Sequence, residues 1–170
     1  MQVYSIVELA AAIFQTVVTA GFAALCYQLY RRHHKTHFYW WATAMAVYAL
    51  SMVALVTFLS TGQWGFLYGH QVLTGWTALG FLYAALVFSF QVRWRSWFLA
   101  FLAFPVVWSY LAIFLLDDFG FAAGTAVVFL SITTAWAGVV FWRYRTLTGS
   151  TAAGWLAVTL GLWAIHHLDY

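Results

Sequence analysis

The sequence predicts an all-α protein: a polytopic transmembrane helical bundle of about six spans, with its N-terminus outside. Three observations carry this reading. Of the 170 residues 65% are apolar and only 6% are Asp, Glu, Lys or Arg, with a mean hydropathy of +0.86. A soluble domain carries about 25% charged residues because its surface has to meet water. The apolar residues come in long runs, and at roughly 20 to 25 residues per crossing of a ~30 Å hydrocarbon core the chain holds about five to seven helices. The charges, finally, change sign from one break between runs to the next. A membrane barrel would show ten-residue segments alternating apolar and polar, and no such alternation is present.

The first span is expected over residues 3–30. No Lys or Arg precedes Arg31, so the positively charged start of a secretory signal is missing, and the apolar run is too long for its core. A basic break from Arg31 to His37 follows. The second span, 38–60, opens on Phe38, Tyr39, Trp40 and Trp41, amphipathic rings of the kind that settle at the headgroup level. The third, 66–91, contains Gly69-His70-Gln71 and then Gly75, Thr77 and Gly80, small residues that let helices approach closely.

The fourth span, 97–116, lies between Arg93 and Arg95 on one side and Asp117 and Asp118 on the other. Its Pro105, the one proline, predicts a kink near residues 101–105. The fifth, 119–142, ends before Arg143 and Arg145. The sixth, 151–168, carries Gly154 and Gly161 seven apart, on one expected packing face. Nothing marks a second domain, a linker or a repeat, so residues 1–170 form one transmembrane domain.

Sidedness follows from the charges. All seven Lys and Arg residues sit in alternate breaks, at 31, 32 and 35, at 93 and 95, and at 143 and 145. The four acids, Glu8, Asp117, Asp118 and Asp169, sit at the other ends. Short loops rich in Lys and Arg stay cytoplasmic, which places the N-terminus outside and, after six crossings, residue 170 outside again. Tyr170 arrives as the last helix reaches the surface, without the polar residues that usually satisfy a helix's final carbonyls. The sequence therefore reads as a fragment of a longer chain.

Polar and ionisable residues inside a membrane are costly and mark functional candidates. On the outer side these are Glu8, Gln15, His70, Gln71, His166 and Asp169, a candidate ligand-binding set. Glu8 and Gln15 are seven apart and share a face of the first helix. His166 and Asp169 are three apart, so the carboxylate can orient the imidazole. No cofactor is required, although His70 with His166 or His167 could hold a haem or a divalent metal. The same histidines are also accounted for as side chains reaching headgroups and water.

The loop histidines 33, 34 and 37 lie among three cations, which suits anionic headgroups better than a metal. Cys26, the single cysteine, has no partner for a disulfide and no metal spacing. Neither a catalytic constellation nor a nucleic-acid partner is expected of this chain.

The run Leu162-Trp163-Ala164-Ile165-His166-His167-Leu168-Asp169-Tyr170 resembles a stretch in the membrane-sensor regions of bacterial signalling proteins. In that family the HHLDY run is followed by Pro and a further span, and the region precedes a cytoplasmic histidine-kinase or diguanylate-cyclase module. This sequence stops before those elements. The resemblance implies a sensor or input region in the bacterial inner membrane, a homodimer coupled to a cytoplasmic signalling module. A small or lipophilic ligand, or the state of the membrane, would be sensed through an outward polar pocket. One alternative is a haem- or metal-binding redox protein using His70 and His166 or His167. Another is a small transporter, against which the sequence shows no ionisable residue at mid-bilayer and no pair of broken helices.

Overall fold

The computed structural model describes residues 6–90, 92–93, 95–116 and 118–167. Six α-helices follow one another: α1 Ile6–His33, α2 Thr36–Thr61, α3 Trp64–Phe90, α4 Phe98–Tyr110, α5 Phe119–Thr148 and α6 Thr151–His166. A π-helical turn, Leu111–Leu115, extends α4, and no strand occurs among the described residues. Five of these units, α4 being counted with its π turn, are long and apolar enough to cross a membrane. This is a multi-pass helical bundle.

Helix ends fall where the backbone stops them, not where the lipid does. α5 was expected to end near 142 but runs on through Arg143 and Arg145 to Thr148, where Gly149 caps it at φ 71°. Gly62 ends α2 in the same left-handed conformation, at φ 69°. Only glycine takes that conformation without a Cβ penalty. Two starts are capped by side chains: the Phe121 N–H donates to Asp118 Oδ1 at 2.9 Å, and the Ala153 N–H to Ser150 Oγ at 3.3 Å.

The sixth span starts at residue 151 as expected and is described as helix to His166. As described, α6 has 16 residues, about 24 Å at 1.5 Å per residue, against a hydrocarbon core of about 30 Å.

α2 packs between α1 and α3, α3 also meets α4 and α5, and α5 carries α6. The centre is aromatic. Phe81 of α3, 1% exposed, lies 5.3 Å from the Trp41 ring of α2 and 5.6 Å from the Trp163 ring of α6. Trp41 in turn lies 5.8 Å from Phe141 of α5. Small residues set the closest approaches: a Cβ on Gly80 would stand 2.9 Å from Ala44 Cβ, and one on Gly75 would stand 2.6 Å from Pro105 Cβ. Gly154 and Gly161 both lie on the side of α6 that faces α5, the Gly161 nitrogen 3.6 Å from where a Cβ on Gly138 would stand. Gly154 lies beneath the Arg145 side chain, a Cβ on Gly161 would meet nothing within 4 Å, and the close α5–α6 contact falls at Gly138 against the Ala157 carbonyl. α1 is the outermost helix, with only Ala12 and Thr19 buried.

The orientation is open to a direct check. In a Cys26→Ala background, a cysteine at exposed Gln63 is expected to react with an impermeant maleimide in intact cells, and one at exposed Thr148 is not. The opposite labelling pattern would invert the bundle.

Candidate functional site: polar groups inside the bundle

Two groups of polar side chains lie along α2. The first joins α2 to α3. His70 Nδ1 stands 2.8 Å from Ser51 Oγ and 3.0 Å from the Ser51 carbonyl oxygen. A carbonyl can only accept, so Nδ1 carries the proton and Nε2 keeps its lone pair. Ser51 Oγ is also 2.8 Å from Thr74 Oγ1, and Thr74 Oγ1 donates to the His70 carbonyl at 2.8 Å. These bonds hold His70, Ser51 and Thr74 in one cluster, in which Ser51 Oγ also stands 3.2 Å from the His70 carbonyl oxygen. Both hydroxyls find partners within the cluster, which is how polar groups persist in a medium without water.

The second group joins α1, α2 and the end of α6. Gln15 Nε2 donates to the Tyr48 hydroxyl at 2.7 Å. His167, the C-cap of α6, is buried; its ring lies 6.4 Å from that of Tyr48, nearly perpendicular, and 5.2 Å from Trp163. Its Nε2 is buried with no hydrogen-bond partner among the described residues. Tyr48 stands at the middle of α2. An ionisable side chain thus stands beside the middle of α2. Tyr48 and Ser51 are three apart and share a face of α2, so the two groups adjoin.

Gln71 faces the other way. It is buried, its Oε1 has no hydrogen-bond partner among the described residues, and it lines a cavity of about 20 Å³ with Gly75, Pro105, Trp108, Ser109 and Thr125. Trp108 Nε1 is likewise buried without a hydrogen-bond partner among the described residues.

Of the residues expected to form one outward pocket, Gln15 and His70 thus belong to neighbouring groups on α2, while Gln71 points towards α4 and α5. Glu8 and His166 are exposed, and Asp169 lies outside the described residues. The interior takes His167 in place of His166. Among the described residues no three His, Cys, Asp or Glu side chains gather as a metal site would need. His70 Nε2 and His167 Nε2 are the nitrogens left to ligate. Sequence reasoning missed Tyr48, Ser51 and Thr74, because a single hydroxyl in an apolar helix gives no signal until the facing helix is known. No family model, no curated protein and no solved structure matches this chain.

Proposed function

We propose that the chain is the membrane-embedded input region of a bacterial signalling receptor, lying in the cytoplasmic membrane with its Lys/Arg-bearing end inside. It passes the state of the bilayer, or the arrival of a lipophilic ligand, to a cytoplasmic module. The observation that supports this best is the Gln15–Tyr48–His167 group. It links the mostly exposed α1, through Tyr48 of α2, to the end of α6, and His167 Nε2 has no hydrogen-bond partner among the described residues and can bond a ligand that enters. Breaking or completing one buried polar contact there shifts α1 against α6, the bistable element a receptor needs. The resemblance at 162–170 points the same way.

Spin labels on cysteines replacing Val17 and Leu162, both lipid-exposed, test this in nanodiscs of short-chain phosphatidylcholine, long-chain phosphatidylcholine and total bacterial lipid extract. The interlabel distance is expected to change by about 2 Å or more, the size of helix shifts in switching proteins. His167→Ala is expected to abolish the change. One unmoved distance distribution in all three bilayers would overturn the receptor reading. The redox alternative requires a Soret band or a stoichiometric metal that His70→Ala or His167→Ala removes. A transporter is favoured by one observation, the depth of His167, and it requires solute flux in proteoliposomes.

A further inference from the structure

We propose that a cavity at the Lys/Arg-bearing end of the bundle, between α2, α3 and residues 92–93, binds the phosphate headgroup of an anionic membrane lipid. The proposal does not depend on the receptor reading. The cavity measures about 490 Å³ and is lined by Thr36, His37, Trp40, Tyr83, Val87, Val92 and Arg93. That volume falls within the roughly 300–1,000 Å³ of small-molecule sites.

The lining matches this ligand in chemistry. It holds a guanidinium, an imidazole and two hydroxyls, and no Asp or Glu. The planar fork of Arg93 can engage two phosphate oxygens at once. The helical walls are packed ring against ring. Trp40 stands edge-on to Tyr83 at 4.7 Å, Tyr83 edge-on to Phe98 at 5.3 Å, and His37 edge-on to Phe88 at 5.1 Å. A site with its aromatic frame already packed spends little ordering entropy on binding.

The position selects the source of the phosphate. Arg31 and Arg32 end α1, and Arg143 and Arg145 lie in the last turns of α5, at this same end. By the positive-inside rule that end meets the cytoplasmic leaflet, where anionic lipids gather. Val87, Val92 and the Trp40 indole give the anion site an apolar wall. A glycerol backbone and the first acyl carbons would cover that wall, whereas inorganic phosphate would leave it bare.

The full chain, purified in neutral detergent, can be titrated with phosphatidylglycerol and with phosphatidylcholine and read by native mass spectrometry. One phosphatidylglycerol per chain is expected to be retained in preference to phosphatidylcholine. Arg93→Gln is expected to weaken retention about tenfold, the loss of one charge-assisted hydrogen-bonded pair. Arg93→Lys is expected to lose less. Arg95→Gln is the control, since Arg95 is exposed on the same segment and does not line the cavity. Equal weakening by Arg93→Gln and Arg95→Gln would reduce the effect to general loop charge and overturn the site, as would equal retention of the two lipids. Inorganic phosphate that binds as tightly as the lipid, and loses its affinity on Arg93→Gln, would make the free anion the ligand and overturn the lipid assignment. Both arginines are exposed, so each variant is expected to keep the fold, which an unchanged melting temperature checks.

Discussion

Phe81→Ala is expected to destabilise the bundle by about 3–5 kcal/mol, the largest loss from any single truncation of a core side chain here. The phenyl ring is 1% exposed and touches the rings of Trp41 and Trp163, so it holds three helices at once. Lipid tails are as apolar as the core, so burial from water contributes little between membrane helices, and close packing contributes most. Removing a volume of roughly 100 Å³ at about 24 cal/mol per Å³ of cavity costs about 2.4 kcal/mol. Two lost ring contacts add about 0.5–1.5 kcal/mol each. Reversible unfolding in mixed micelles measures the sum. Phe81→Leu is expected to cost no more than about 1.5 kcal/mol. If Phe81→Ala falls within about 0.5 kcal/mol of the native protein, these rings do not form the hub described.

Gly75→Leu acts by the opposite route, through overpacking. Even a Cβ at this position would lie 2.6 Å from Pro105 Cβ and 2.7 Å from Pro105 Cγ. The pyrrolidine ring cannot swing aside, and the neighbouring cavity of about 20 Å³ is too small for an isobutyl group. The α3–α4 seam therefore has to open, stretching the 2.8 Å hydrogen bond from Trp76 Nε1 to the Leu102 carbonyl and the 3.3 Å one from the Tyr68 hydroxyl to the Val106 carbonyl. The expected cost is about 3 kcal/mol or more, at the upper end for overpacking. Gly154→Ala is the control. Its Cβ would stand 2.6 Å from Arg145 Cδ, but Arg145 is exposed and flexible, so the side chain moves and the change is expected to stay within about 0.5 kcal/mol. Equal losses for the two variants would show that glycine content alone, and not the proline contact, governs the seam.

The architecture could be read from the sequence because the bilayer constrains it so strongly. Apolar runs of the right length, with every backbone group satisfied internally, leave helices as the only choice once a barrel is excluded. Individual helix ends were less legible, since α1 continues through Arg31 and Arg32 and α5 through Arg143 and Arg145. Basic side chains at a border extend into the headgroups without ending the helix. The site was legible in its residues and not in its geometry. His70 and Gln15 were picked out as polar groups in apolar helices, yet their partners Ser51, Thr74 and Tyr48 were not. A helix in water shows a polar and an apolar face, from which its rotation can be read. These helices are apolar nearly all round, so no stripe fixes which way a side chain points. The same ambiguity exchanged His166 for His167: adjacent residues differ by about 100° around a helix, and only the packing of Trp163 against Phe81 and Tyr48 decides between them.

The short connections have a consequence for how the chain assembles. His34–Lys35, Gly62–Gln63 and Gly149–Ser150 each join two helices with a pair of residues, so α1–α2, α2–α3 and α5–α6 enter the membrane as ready-made hairpins with little loop-closure entropy to overcome. Their contacts are local in sequence and form fast. The contacts of Trp163 with Tyr48 and Phe81, like the packing of α3 on α5, are long-range in sequence. Loop entropy thus favours an order in which the hairpins form first and the α5–α6 pair docks onto α2 and α3 last. The docking that buries His167 beside Tyr48 then belongs to the last step of assembly.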